Sequence, residues 1–111
     1  MKFEDSQHGA VVVVGPKGAL TRETAERFTA HLLEIRAQSM GRLVLDVTNI
    51  PLVDSRGLEA LVEVTETMAD SGAPLKLCGA NDTLREVLEL TELTSLFDYF
   101  ESKTDAARSF A

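Results

Sequence analysis

The strongest constraint on this chain is an alternation. Short apolar runs rich in β-branched residues take turns with longer stretches of helical periodicity, and that order calls for a largely parallel sheet with helices packed on it. Ala10 to Val14 reads AVVVV with no polar alternation, as expected of a strand covered on both faces. Leu43 to Val47 (LVLDV) and Leu75 to Cys78 (LKLC) repeat the signal, and Phe97 to Phe100 (FDYF) gives a last short strand. Lys2 to Ser6 is more weakly strand-like and is followed by a turn at Gln7-His8-Gly9. Gly15-Pro16-Lys17-Gly18 is expected to break the AVVVV strand in a surface turn.

Helices fill the intervals. The first runs from Thr21, a good N-cap residue, to about Ser39, with Ala25, Phe28, Leu32 and Ile35 forming one apolar stripe and Gly41 closing it. In the second, Leu58, Leu61, Val62, Thr65, Met68 and Ala69 line one face, closed by Ser71-Gly72. Asp82 caps a third, whose stripe is Leu84, Val87, Leu88 and Thr91. Thr104 to Phe110 forms a closing helix with Ala106, Ala107 and Phe110 inward. The fold class is therefore α/β, a mixed and mostly parallel sheet of four to five strands with covering helices. With no repeat or linker, residues 1–111 read as a single domain.

Charge and composition then narrow the function. Eleven Lys and Arg against 18 Asp and Glu leave a formal net charge of −7, which disfavours nucleic acid and anionic lipid as partners. One cysteine, Cys78, rules out an internal disulfide and fits a reducing, cytoplasmic setting. The start, MKFEDSQHG, lacks the apolar core of a signal peptide, and no apolar run approaches the roughly 18 residues of a membrane span.

No metal or cofactor is expected. His8 lies in the expected turn and His31 on the polar side of the first helix with Arg27 and Glu34, so neither has a ligand partner at useful spacing. Cys78 reads as a small buried hydrophobe. GPKG lacks the spacing of a P-loop or a dinucleotide fingerprint.

The remaining feature is Val53 to Leu61, VDSRGLEAL, where a strand-like run gives way to a helix. Asp54 or Ser55 stands at or next to the N-cap, and the amides that follow have no partner within the helix. A phosphoryl group on Ser55 would meet those amides and the positive end of the helix dipole. Arg56 adds a charge-assisted contact if it turns that way, and Gly57 keeps the first turn open to close backbone approach. Catalysis by Ser55 lacks a base, because a capping Asp54 turns its carboxylate to backbone amides and neither histidine is placed to help. From these residues alone, capping is the simpler account and the switch stays open.

The junction resembles the signature of the STAS domain family, shared by sulfate transporters and anti-sigma factor antagonists. RLVLDVTNIPLVDSRGLEALVEV is similar to that family's central strand, loop and helix, with Asp54-Ser55-x-Gly57-Leu58 matching the motif. LKLCGANDTLREVLELTELTSLFDYFES is similar to its second half, and VVVVGPKGALTRETAERFTAHL to its first strand-turn-helix. The resemblance implies a stand-alone STAS-type domain that is not an enzyme. In the anti-sigma factor antagonist branch, the serine matching Ser55 is phosphorylated by an anti-sigma factor that is also a serine kinase of the histidine-kinase-like ATPase type. Unphosphorylated antagonist binds that partner and phosphorylation releases it. Asp54, Ser55, Arg56, Gly57 and Leu58, with the helix beyond, would form the docking face. The alternative is an accessory subunit of a lipid-transport ABC complex, docked on the transporter's ATPase, with Ser55 a cap or contact residue.

Three positions depart from the family pattern. Arg56 stands where a small residue is common, Thr21 replaces an acidic residue that lies near the phosphosite in regulated members, and Glu92 stands where glycine is frequent.

Overall fold

Side chains alternate across a strand, so each strand of this chain feeds two different apolar layers. The computed structural model describes residues 1–70 and 72–111, and its elements run in the order β1 (Lys2–His8), β2 (Val11–Lys17), α1 (Ala25–Gln38), β3 (Leu43–Asp46), α2 (Ser55–Asp70), β4 (Leu75–Cys78), α3 (Asp82–Leu90), β5 (Phe97–Phe100) and α4 (Lys103–Arg108). The strands form one sheet in the order β1-β2-β3-β4-β5, with β1 antiparallel to β2 and every other pair parallel. The expected α/β class with a mixed, mostly parallel sheet is what the chain adopts.

Val14, Leu43, Leu45, Leu75, Leu77 and Phe97 point to one face, where α1, α2 and α3 bury Phe28, Leu32, Leu61, Val64 and Leu88 against them. Val11, Val13, Val44 and Cys78 point to the other, covered by α4 through Ala106 with Ala107 and Phe110 beside it. The strand begins at Val11, with Ala10 exposed in the turn before it, and the four valines are covered on both sides.

Several boundaries differ from the sequence reading, each for a physical reason. The turn expected at Gln7-His8-Gly9 is displaced to Gly9-Ala10, because Gln7 and His8 pair with Val12 and Val11 and the chain reverses at Gly9, at φ 64°. GPKG is not a surface turn. Gly15, Pro16 and Lys17 continue β2 and pair with Glu4, Phe3 and Lys2. Pairing with β3 stops at Val14, so Pro16 lies where the strand has a neighbour on one side only, and its missing N–H breaks no central ladder.

Helix α1 starts at Ala25 with Thr24 as N-cap, three residues later than a cap at Thr21 suggests. Thr24 Oγ1 accepts from the Thr21 N–H at 2.9 Å and donates to the Ala19 carbonyl at 2.8 Å, holding Thr21 to Thr24 in a turn instead. His31 does not sit on a purely polar face. Its ring stacks on Phe3 at 4.0 Å and its Nε2 lies 2.8 Å from Asp5 Oδ2, so it pins β1 to α1.

The cap of α3 is Asn81 and not Asp82, since Asn81 Oδ1 accepts from the Leu84 N–H at 2.8 Å. Thr91, expected on that helix's stripe, is exposed at its end. Glu92, in the place of a frequent glycine, adopts φ 60°. The closing helix is Lys103–Arg108, with Phe110 beyond its end. Of the Ser71-Gly72 closure of α2, Ser71 lies outside the described residues, and Gly72 takes φ 121°.

The inward face of α2 is rotated from the one expected. Gly57, Ala60, Leu61, Val64, Thr65 and Met68 are buried, whereas Leu58 and Val62 are half-exposed and Ala69 is exposed. Small and medium apolar residues occur on two adjacent sides of this helix, and tertiary packing selects the side carrying Ala60 and Val64.

Candidate functional site

Two loops that are far apart in sequence are laced together where α2 begins. The Gly18 N–H donates to the Asn49 carbonyl at 3.1 Å, Leu20 to Leu52 at 2.8 Å, and Asp54 back to Leu20 at 3.1 Å. Leu20 and Val53 pair as a single parallel bridge. The segments leading into α1 and α2 thus form one short ribbon beyond the sheet.

Asp54 fastens that ribbon. Its Oδ1 accepts from the Gly57 N–H at 2.8 Å, the bond of a helix N-cap. Its Oδ2 accepts from the Arg22 N–H at 3.0 Å, across 32 residues of chain. The Gly57 amide first, and the Arg22 amide second, hold the carboxyl below its ordinary value of 3.8. Such a carboxylate is engaged and weakly basic.

Gly57 has a different role from the one expected. A Cβ there would fall on the Leu20 carbonyl oxygen, with the Leu20 carbonyl carbon only 2.8 Å away. The close approach that the glycine allows is to the protein's own ribbon, and no room for a ligand is left on that side. Ser55 opens α2 and is exposed, and among the described residues its hydroxyl makes no hydrogen bond. Arg56 points along the helix, with Nη1 4.0 Å from Glu59 Oε2, an i,i+3 pair too long to hold it firmly.

Two depressions meet at Ser55. One is a groove of about 380 Å³ along the outer side of α2, with Leu58, Val62 and Leu93 forming apolar walls and Glu59, Glu63 and Glu66 on its rim. The other is a polar notch of about 530 Å³ between the ribbon and the helix start, where Arg22, Glu23 and Arg56 stand beside Asp54 and Ser55. Of the expected docking residues, Asp54, Ser55 and Arg56 line the notch, Ser55 and Leu58 line the groove, and Gly57 is buried behind them. Sequence reasoning missed Arg22, Glu23 and Leu93. Glu23 returns a carboxylate to the notch two residues after Thr21, where an acidic residue seemed to be lacking. No local signal joins residue 22 to residue 54.

Elsewhere the chemistry is muted. Burial first, and the neighbouring Asp46 second, push the Cys78 thiol up to about 12. Among the described residues no group of three or more His, Cys, Asp or Glu side chains is placed to hold a metal ion, and no helix is long and apolar enough to cross a membrane.

The STAS domain model matches residues 2–106. The chain belongs to the STAS domain family. A relative from Bordetella bronchiseptica, BtrV, named as an anti-sigma factor antagonist, is 26% identical over 110 residues, spanning 99% of this chain and 95% of its own. The fold is shared with an anti-sigma factor antagonist of Thermotoga maritima (TM-score 0.86, 21% identity, 96% of this chain and 92% of that one). It is shared also with the Bacillus cell fate determinant SpoIIAA in its phosphorylated form (TM-score 0.71, 16% identity, 99% and 100%). The STAS fold also occurs within a murine anion transporter, Slc26a9, of which this chain matches 18% (TM-score 0.76, 18% identity, 95% of this chain).

Proposed function

We propose that this protein is an anti-sigma factor antagonist, a non-catalytic binding module whose grip on its partner is switched by phosphorylation of Ser55. The observation that carries the reading is the exposed, unbonded Ser55 hydroxyl on a junction where Asp54, Gly57 and Leu58 are fixed by hydrogen bonds to the backbone and to the cap. The kinship with BtrV over the whole length supports it.

The rigid cap shapes how such a switch works. Asp54 already takes the Gly57 amide, and the Arg56 amide faces the same carboxylate. A phosphoryl group on Ser55 therefore stays outside the helix end, at the mouth of the notch near Arg22 and Arg56. It adds about −1.5 to −2 charge to a surface seat, and a partner covering Ser55 must strip water from that dianion. In the transfer itself, Ser55 Oγ takes the terminal phosphoryl of ATP, releasing ADP. The hydroxyl proton goes to a base on the partner kinase, because Asp54 is bound up and weakly basic.

The test is a pull-down from the native host with wild-type, Ser55→Ala and Ser55→Asp baits. Retention of a small kinase-like ATPase by the first two and its loss from the third is the expected result. Equal capture by all three overturns the switch, and if the captured proteins are an ABC ATPase and permease, the transporter-subunit reading replaces it.

A further inference from the structure

The groove beside Ser55 has a chemistry that specifies what fits it. Ser55, Leu58 or Glu59, Val62 or Glu63, and Glu66 recur at steps of three and four, so the groove follows one side of α2 for three turns, roughly 16 Å. Its walls are apolar and its rim carries only carboxylates.

The acidic rim is not explained by α2 itself. This helix has one basic residue, Arg56, at its start, and Glu59, Glu63, Glu66 and Asp70 after it. That polarity opposes the helix dipole, which favours acid at the start and base at the end. Among the described residues, neither Glu63 nor Glu66 enters an ion pair. Glu63 and Glu66, placed against the dipole beside an apolar trough and without an ion pair among the described residues, leave charge that a basic partner can complement.

We propose that the groove seats an amphipathic helix of the partner, with an apolar stripe against Leu58, Val62 and Leu93 and Lys or Arg residues opposite Glu63 and Glu66. A groove that follows one helix for three turns and the charge complementarity select a helix over an added strand. This rests on the binding-module reading and names the partner element.

The placement also reconciles an acidic groove with release by a further negative charge. Glu63 and Glu66 lie about 12 and 16 Å along the helix from Ser55, beyond the roughly 8 Å screening length of physiological salt. A phosphoryl group on Ser55 thus adds little attraction for the basic flank. What it meets is the apolar stripe, which would have to cover a dianion without hydrogen bonds to offer.

The test uses the full chain and a synthetic helical peptide of about 15 residues, with Leu at three- and four-residue steps flanked by Lys. Controls are a shuffled peptide of the same composition and one with Glu in place of Lys. Fluorescence anisotropy should show binding of the Lys peptide alone. Glu63→Lys/Glu66→Lys should weaken it at least about tenfold, and Val62→Ser should weaken it at both low and high salt. Unchanged melting temperatures would confirm that both variants fold. Failure of the Lys peptide to bind, or equal binding of the shuffled peptide or of the Glu63→Lys/Glu66→Lys variant, overturns the proposal. A separate arm keeps the two readings apart: if Ser55→Asp binds the peptide as wild type does, the groove stands and the switch at Ser55 falls.

Discussion

Helices α2 and α3 begin alike and differ in what their caps reach. Asn81 accepts from the Leu84 amide at 2.8 Å, and Asp54 accepts from the Gly57 amide at the same 2.8 Å, three residues on in both cases. There the likeness ends. The cap of α3 is local, whereas Asp54 uses its second oxygen on the Arg22 amide, 32 residues away, and Gly57 presses on the Leu20 carbonyl. One cap satisfies a helix. The other satisfies a helix, ties two loops into a ribbon and leaves the adjacent serine hydroxyl unused.

The contrast can be broken most forcefully at Gly57. Gly57→Ala adds a carbon where the Leu20 carbonyl already stands, and should cost about 3 kcal/mol, outweighing the roughly 1 kcal/mol that alanine gains in a helix. Chemical denaturation measures it, and a variant as stable as wild type would mean that the ribbon yields. Next come the caps. Asn81→Ala should lose about 1 kcal/mol, and Asp54→Ala should lower the melting temperature further than Asn81→Ala does, because two backbone donors are orphaned instead of one. Equal losses would reduce Asp54 to an ordinary cap.

A finer comparison makes the two caps chemically the same. Asp54→Asn keeps an acceptor for Gly57 but replaces the ionised oxygen facing Arg22. The carboxyl of Asp54 is depressed in the folded chain, so its stabilisation is present above the ordinary value of 3.8 and is lost as pH falls through the lower folded value. The gap in melting temperature between wild type and Asp54→Asn should therefore hold steady above about pH 5 and close below about pH 4. A gap that ignores pH would exclude the charge as its source. The smallest effect is expected at Ser55 itself. Ser55→Ala should change stability by less than about 0.5 kcal/mol, since the exposed hydroxyl holds nothing, and a larger loss would return Ser55 to a structural role.

Much of this architecture was legible because burial and chain chemistry coincide. VVVV, LVLD and LKLC are strands since nothing else buries so short an apolar run on both sides, and FDYF, with Asp98 exposed, forms the edge of the sheet. The junction at Asp54 was legible too, because acid, serine and glycine at a helix start each answer a backbone demand. What escaped were features decided by distant partners. Pro16 sits within a strand only because its partner is β1, and α1 starts late because Thr24 bonds to Ala19 and Thr21. The inward side of α2 is chosen by the ribbon and the sheet, so Val62 walls a groove instead of joining the core, and Leu58 does both, packing partly against the core and partly lining the groove.

The bond from Arg22 to Asp54 bears on how far the motif can travel. Grafted onto the start of an unrelated helix, VDSRGLEAL would still find its cap, but Gly57 would face open space and half of Asp54's acceptors would be idle. The structural unit is therefore a discontinuous one, split between residues 18–22 and 53–58, and a protein engineer transplanting it would need both pieces at their native separation. By the same token, a chain that carries the nine residues without a complementary upstream segment has borrowed only a helix start.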